Sequence, residues 1–201
     1  MPQESLDNGY TTPNADNHLT QDRKKVICVT AVQHNNPMRV ECDTTEEVLN
    51  LVKDAKVAWA DFMVSNIEVE GEAIANKLGF GPNLVSTLLK GYYSNYEDRE
   101  VELGLMVPVV GVTKLEVDVN PLIILIKKSL VITIHRGTSR RLIKFSRYAN
   151  TFMRKMPAEA SWQDTVTIVL TRILDENNNR NFEHLRDRGP GRRVEQRPDG
   201  P

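Results

Sequence analysis

The amino-acid sequence predicts an α/β (α+β) domain, a mixed β-sheet packed between helix layers and ending in a pair of longer helices. Three observations carry this. Strand-like runs mixed with short helical patterns come first, and longer helical patterns follow. The runs Leu122 to Ile126 and Leu130 to Ile134 are apolar without alternation, as in strands covered on both faces by helices. Near the end, apolar residues recur at intervals of three and four, the spacing of one helix face.

In chain order, Val26-Ile27-Cys28-Val29 begins a strand, a turn is expected at His34-Asn35-Asn36-Pro37, and the alternating Met38 to Cys42 completes a hairpin. Thr44 followed by Glu47 resembles a capping box and opens a short helix with Val48, Leu49 and Val52 on one face. Val57 to Phe62 reads as another strand. Ile67, Ile74 and Leu78, ended by Gly79, and Leu84, Val85, Leu88 and Leu89, ended by Gly91, give two short helices. Val101 to Val110, with apolar residues at every odd position, Leu115 to Val119, and the pair around Lys127-Lys128-Ser129 supply further strands. Pro108 cannot donate to a ladder and marks a strand end, a bulge or an edge. Leu142, Phe145, Ala149, Phe152 and Met156 form a helical stripe that Pro157 stops. A second helix starts at Ser161, with Asp164 in capping position, and runs to about Leu185.

Three segments follow from this pattern. Residues 1–23 are a polar tail that cannot bury enough apolar surface to offset its ordering entropy. Residues 24–185 form the folded domain, and 186–201 are an Arg/Gly/Pro tail with one aliphatic residue, Val194. Hydrophobic residues make up 40% of the 201, enough for a packed core. The net charge of -1 exerts no whole-chain pull toward nucleic acid or anionic lipid. No run reaches the ~18 consecutive apolar residues of a membrane helix, and the polar N-terminus does not resemble a signal peptide, so a cytoplasmic location is the default.

Enzyme chemistry has no anchor in the sequence. It holds no GK[ST] phosphate loop, GxGxxG, GxSxG or HExxH motif. His18, His34, His135 and His184 are scattered, which favours structural or solvated roles over a catalytic set. Cys28 and Cys42 lack metal-ligand spacing and read as buried thiols. The basic stretch Arg140, Arg141, Lys144, Arg147, Arg154 and Lys155 could meet a nucleic-acid backbone or an acidic protein, or form a solvated face; no aromatic platform for base stacking accompanies it. Glu97, Asp98, Glu100 and Glu102, together with Asp175 and Glu176, could offer oxygen ligands to a hard divalent cation.

Four segments, in order, resemble the soluble domain of the CorA family of magnesium/cobalt transport proteins. Trp59-Ala60-Asp61 matches its "tryptophan, small residue, aspartate" strand, and Leu78-Gly79-Phe80-Gly81-Pro82 to Leu89 is similar to its L-G-x-H-P-L-x-x-E-D-I-L element. Leu130 to His135 resembles its "L-I-T-V-H" strand, and Ile173-Leu174-Asp175 resembles its "L-L-D" helix. The resemblance implies a CorA-like cytoplasmic domain that assembles as a pentameric funnel, with Mg2+ or Co2+ bound between neighbouring subunits to hold a channel closed. It makes Asp175 the first candidate cation ligand. The family's Glu-Asp pair falls on Ser86-Thr87, where neutral hydroxyls replace two carboxylates and imply a weak site.

Family members continue into a stalk helix and two membrane helices, so the Arg/Gly/Pro ending suggests a truncated or frameshifted reading frame or an appended tail. The expected function is therefore a cytoplasmic divalent-cation-sensing domain of a CorA-type channel. It would not insert in the membrane or transport alone, and its partners would be a divalent cation, further copies of itself or full-length channel subunits. The alternative is a standalone cytoplasmic interaction module whose helix 140–155 contacts nucleic acid or an acidic protein, through Arg140, Arg141 and Lys144 first.

Overall fold

A computed structural model of the chain describes residues 27–33, 36–92, 94–113, 116–136 and 161–186. Seven strands form one sheet: β1 Ile27–Gln33, β2 Asn36–Cys42, β3 Val57–Val64, β4 Asn95–Arg99, β5 Glu102–Thr113, β6 Glu116–Lys127 and β7 Leu130–Arg136. Their spatial order is β2-β1-β3-β7-β6-β5-β4. Every neighbouring pair is antiparallel except β3 and β7, which run parallel. A parallel pair needs a crossover. Here the chain leaves β3 through helices and the β4–β5–β6 meander before β7 returns beside it.

The crossover begins with a π-helical turn, Ile67–Gly71, which passes directly into α2, Glu72–Lys77. Asn66 caps it by accepting from the Val69 N–H at 3.2 Å, and Glu70 reaches back to the N–H groups of Ser65 and Asn66 at 3.0 and 2.9 Å. Gly79 stops α2 with a φ of 79°, a left-handed conformation that suits glycine. Its carbonyl accepts from the Lys127 ammonium, placing a cation at the C-terminal end of the helix. A short α3, Leu84–Leu88, follows and buries Leu84, Val85 and Leu88.

Before β3, α1 (Thr45–Lys53) starts at the capping box seen in the sequence. Thr44 Oγ1 accepts from Glu47 N at 3.2 Å, and Glu47 turns back onto the Asp43 N–H at 2.9 Å. After β7 the described chain resumes in a 25-residue helix, α4, Trp162–Arg186. Ser161 caps it, exchanging bonds with Asp164 through its hydroxyl and its backbone N–H.

The sheet has two covered faces. On one, Ala58, Ala60, Phe62 and Val64 of β3 pack with Ile132 and Ile134 of β7, Ile123 and Leu125 of β6, and residues of α1, α2 and α3. On the other, Val57, Trp59, Val131, Leu122 and Ile124 pack with Val166, Val169 and Ile173 of α4. Leu122 to Leu125 are all fully buried, which explains their unbroken apolar run, and each contributes about 1.5–3 kcal/mol of transfer free energy.

Several expectations change in detail. Asn36 and Pro37 belong to β2 rather than to the turn. Leu115 to Val119 and Leu122 to Ile126 are not separate strands, because β6 runs through Pro121. Pro121 lies opposite Pro108, so neither missing N–H costs a ladder bond. Strand β4 was not anticipated: its sequence, Asn-Tyr-Glu-Asp-Arg, carries no apolar alternation. Of the expected pair of longer helices, α4 is observed, and the helix expected over 139–156 lies outside the described residues, as do the tails 1–23 and 187–201.

Gly104 of β5 faces α3, and a Cβ added there would lie 2.8 Å from Leu88 Cδ1 and 3.0 Å from Leu84 Cδ1. Gly104→Ala is expected to destabilise the domain by about 1–3 kcal/mol in urea unfolding through overpacking; an unchanged midpoint would mean that α3 is loosely seated. At the start of α4, the Ser161 hydroxyl and then its N–H hold the Asp164 carboxyl below its ordinary value of 3.8. The lowered value makes the carboxylate cap fully effective above the unfolded-state pKa and lost as pH falls through the folded one. In an NMR titration Asp164 should therefore titrate below 3.8, and Ser161→Ala should bring it back toward that value.

Candidate functional site

The parallel contact between β3 and β7 carries a buried polar chain. Asp61 lies opposite Thr133, with Trp59 and His135 two residues away along their strands on the same face. The Trp59 indole N–H donates to Thr133 Oγ1 at 3.0 Å, and that hydroxyl donates to Asp61 Oδ1 at 2.5 Å. His135 Nε2 stands 3.2 Å from the same Oδ1, and Nδ1 stands 2.9 Å from the Arg136 carbonyl. The imidazole thus lies beside the Asp61 carboxylate at one nitrogen and beside a backbone carbonyl at the other. Trp59, Thr133 and His135 are at most 1% exposed and Asp61 is 7% exposed, so no substrate could touch the chain. Its work is to fix the register of the parallel strands.

A second cluster explains Gly81, where the resembled family element has histidine. Glu102 at the start of β5 is buried, and its two carboxylate oxygens accept from the Gly81 N–H at 3.1 and 2.9 Å. A Cβ at position 81 would come within 2.7 Å of Glu102 Oε1. Arg99 completes the corner, bonding Glu102 at 3.2 Å, the Pro82 carbonyl at 3.2 Å and Glu97 at 3.4 Å. Two members of the acidic cluster singled out in the sequence, Glu97 and Glu102, are thus committed to Arg99 and to the loop before α3. They do not open toward a cation, and among the described residues no group of three or more His, Cys, Asp or Glu side chains is placed to hold a metal ion.

The structure does not bring the three candidate cation ligands together within one copy. Ser86 and Thr87 lie on α3, which packs on one face of the sheet. Asp175 lies on α4, which packs on the other. The Ser86 N–H donates to Glu72 Oε2 at 3.0 Å and its hydroxyl to the Asn83 carbonyl at 3.1 Å. The half-buried Thr87 offers its carbonyl to Asn95 Nδ2 at 3.2 Å. Asp175 is exposed, with Arg172 at 4.0 Å, a pair worth little at such exposure. Arg140, Arg141 and Lys144 lie outside the described residues, as do His18 and His34. Cys42 is a buried free thiol, as expected.

Two functional-looking residues escaped the sequence reading. Asn177 and Asn181 of α4 bind the backbone of β5: both Nδ2 groups donate to the Pro108 carbonyl, at 3.0 and 3.1 Å, and Asn181 Oδ1 accepts from the Val110 N–H at 3.0 Å. A signal was available, since Ile173, Asn177 and Asn181 continue the buried stripe at intervals of four. Polar residues on a buried stripe ask for partners.

A model of the family described as CorA-like Mg2+ transporter protein matches residues 54–188. No curated protein matches the chain. Among solved structures, the complete CorA magnesium transporter from Methanocaldococcus jannaschii is similar at 17% identity and a TM-score of 0.55, over 81% of this chain and 47% of that one. The soluble domain of CorA from the same organism is similar at 19% identity and a TM-score of 0.51, over 80% and 60%. The ZntB cytoplasmic domain from Vibrio parahaemolyticus RIMD 2210633 is similar at 14% identity and a TM-score of 0.54, over 81% and 62%. The chain thus matches less than two thirds of the length of each of these structures. At these identities the likeness speaks for the fold. No helix among the described residues is long and apolar enough to cross a membrane.

Thr133→Val keeps the side chain's shape but removes the hydroxyl that serves both Trp59 and Asp61. It is expected to cost about 1–3 kcal/mol in denaturant unfolding, because two buried polar groups lose their partner. Unaltered stability would show that the polar chain does not tie β3 to β7.

Proposed function

Because the chain belongs to the CorA-like Mg2+ transporter family, we propose that it acts as a cytoplasmic regulatory domain sensing the divalent cation, Mg2+ or Co2+, of a CorA-type channel. On this reading it binds and reports rather than catalyses or conducts. The observation that carries the proposal is the family match over 54–188, which takes in β3 to β7, α2, α3 and the whole of α4. The fold shared with the soluble domain of CorA from M. jannaschii supports it.

The geometry refines how a cation would be held. Ser86 and Thr87 lie on the face opposite Asp175, so a cation drawing on both would join two copies of the domain. Mg2+ suits such a junction, because it keeps several waters and takes few protein ligands directly. Losing the cation would leave neighbouring copies freer to move, which is how occupancy would be reported. With hydroxyls at Ser86 and Thr87, affinity would rest mainly on Asp175 and be low.

Thermal unfolding with and without divalent cation tests the proposal, since a ligand that binds the native state must stabilise it. At about ten times the dissociation constant the gain is about 1.4 kcal/mol, a few degrees for a chain of this size. Millimolar Mg2+ or Co2+ is expected to raise the transition, and Asp175→Ala to remove most of the rise. If neither metal moves the transition, the domain is not a cation sensor.

A further inference from the structure

We propose that Asn177 and Asn181 are positioning residues, forming a two-amide clip that seats the C-terminal half of α4 on the edge of β5 and couples Asp175 to the β5–β6 ribbon. The coupling rests on reading Asp175 as a cation ligand; the clip stands without it.

The clip fills a defined gap in the sheet. Strand β4 ends opposite Met106, whereas β5 continues to Thr113, so from Val107 onward β5 has no strand on its outer side among the described residues. Pro108 and Pro121 face each other across β5 and β6 with no N–H between them, which marks a non-hydrogen-bonded position of the ladder. The Pro108 carbonyl and the Val110 N–H therefore point outward, the open edge that invites another strand. Asn181 donates to one and accepts from the other, the pair of bonds flanking Val109 that a residue of a neighbouring parallel strand would make. Asn177, 4% exposed, supplies a second donor to the same carbonyl, which has two lone pairs to offer. One helix face thus stands in for the missing length of β4.

The attachment of α4 changes character along the helix. Val166, Val169 and Ile173 bury apolar surface, which tolerates small displacements. From Asn177 onward the described contacts to β5 are hydrogen bonds, which weaken steeply once distance and angle depart from their optimum. Asp175 is exposed at the junction of the two halves, within a turn of Asn177. A cation that fixes Asp175 would hold the amide half in place, and its loss would let that half lift while the apolar half stays docked.

Amide hydrogen exchange on the full chain tests both parts. In Asn181→Leu the Val110 N–H is expected to exchange roughly tenfold faster or more, while the amides of Ile124 and Ile132 keep their rates. Equal protection of Val110 in the variant and the parent overturns the clip. If Asn181→Leu does not fold, Asn177→Ala takes its place: about threefold faster exchange at Val110 supports the clip and no change overturns it. With about 10 mM Mg2+ the parent chain should protect Val110 about threefold more, and Asp175→Ala should abolish the gain. A Mg2+-dependent rise in unfolding temperature without that protection overturns the coupling. Absence of both overturns the cation reading of Asp175, while the Asn181→Leu result decides the clip separately.

Discussion

The parallel contact between β3 and β7 is the constraint on which the rest of the domain depends. Antiparallel neighbours can form locally through hairpins, and most of this sheet does so: β1 with β2, β4 with β5, β5 with β6, β6 with β7. Strand β3 instead meets a partner some seventy positions along the chain, after the full loop-closure cost of the intervening segment. The buried chain from Trp59 through Thr133 to Asp61 and His135 makes that meeting specific. A slip of one residue would turn Thr133 and His135 to the opposite face and leave Asp61 and the indole N–H without them. Apolar packing supplies most of the free energy of the sheet, and the polar chain chooses its register.

Once that register is set, the two faces of the sheet have different occupants. The crossover helices cover one face and α4 covers the other. The domain is therefore a three-layer object whose candidate cation ligands point to opposite sides. A residue-by-residue carry-over from a family pattern names Ser86, Thr87 and Asp175 without saying whether they meet. The sheet between them answers that within one copy they do not. Cation binding, if it uses both sides, becomes a property of an assembly.

Much of this architecture was legible in the sequence, for physical reasons that differ between elements. The capping boxes at Thr44/Glu47 and Ser161/Asp164 are local chemistry, and both helices start where the caps stand. The unbroken apolar runs of β6 and β7 announced a centre covered on both faces. Strand β4 was illegible because its residues are polar and its pairing comes from the neighbouring β5 rather than from its own pattern. The odd-numbered apolar residues of β5 suggested a single buried face, yet Glu102, Gly104 and Met106 are buried on the other, one as an acid bonded to a loop and one as a glycine packed under α3. Of the candidate site, only the identities of Ser86, Thr87 and Asp175 could be read in advance. Their separation, the buried use of Glu102 and the amide clip at Asn177 and Asn181 depend on tertiary placement that no local spacing encodes.

The central functional claim is that a divalent cation is held between copies of the domain rather than inside one. Sedimentation velocity of the chain, with and without millimolar Mg2+ and repeated for Asp175→Ala, tests it most directly. The account predicts a Mg2+-dependent shift toward larger species that Asp175→Ala removes. A Mg2+-stabilised domain that remains a single copy at every protein concentration would contradict it.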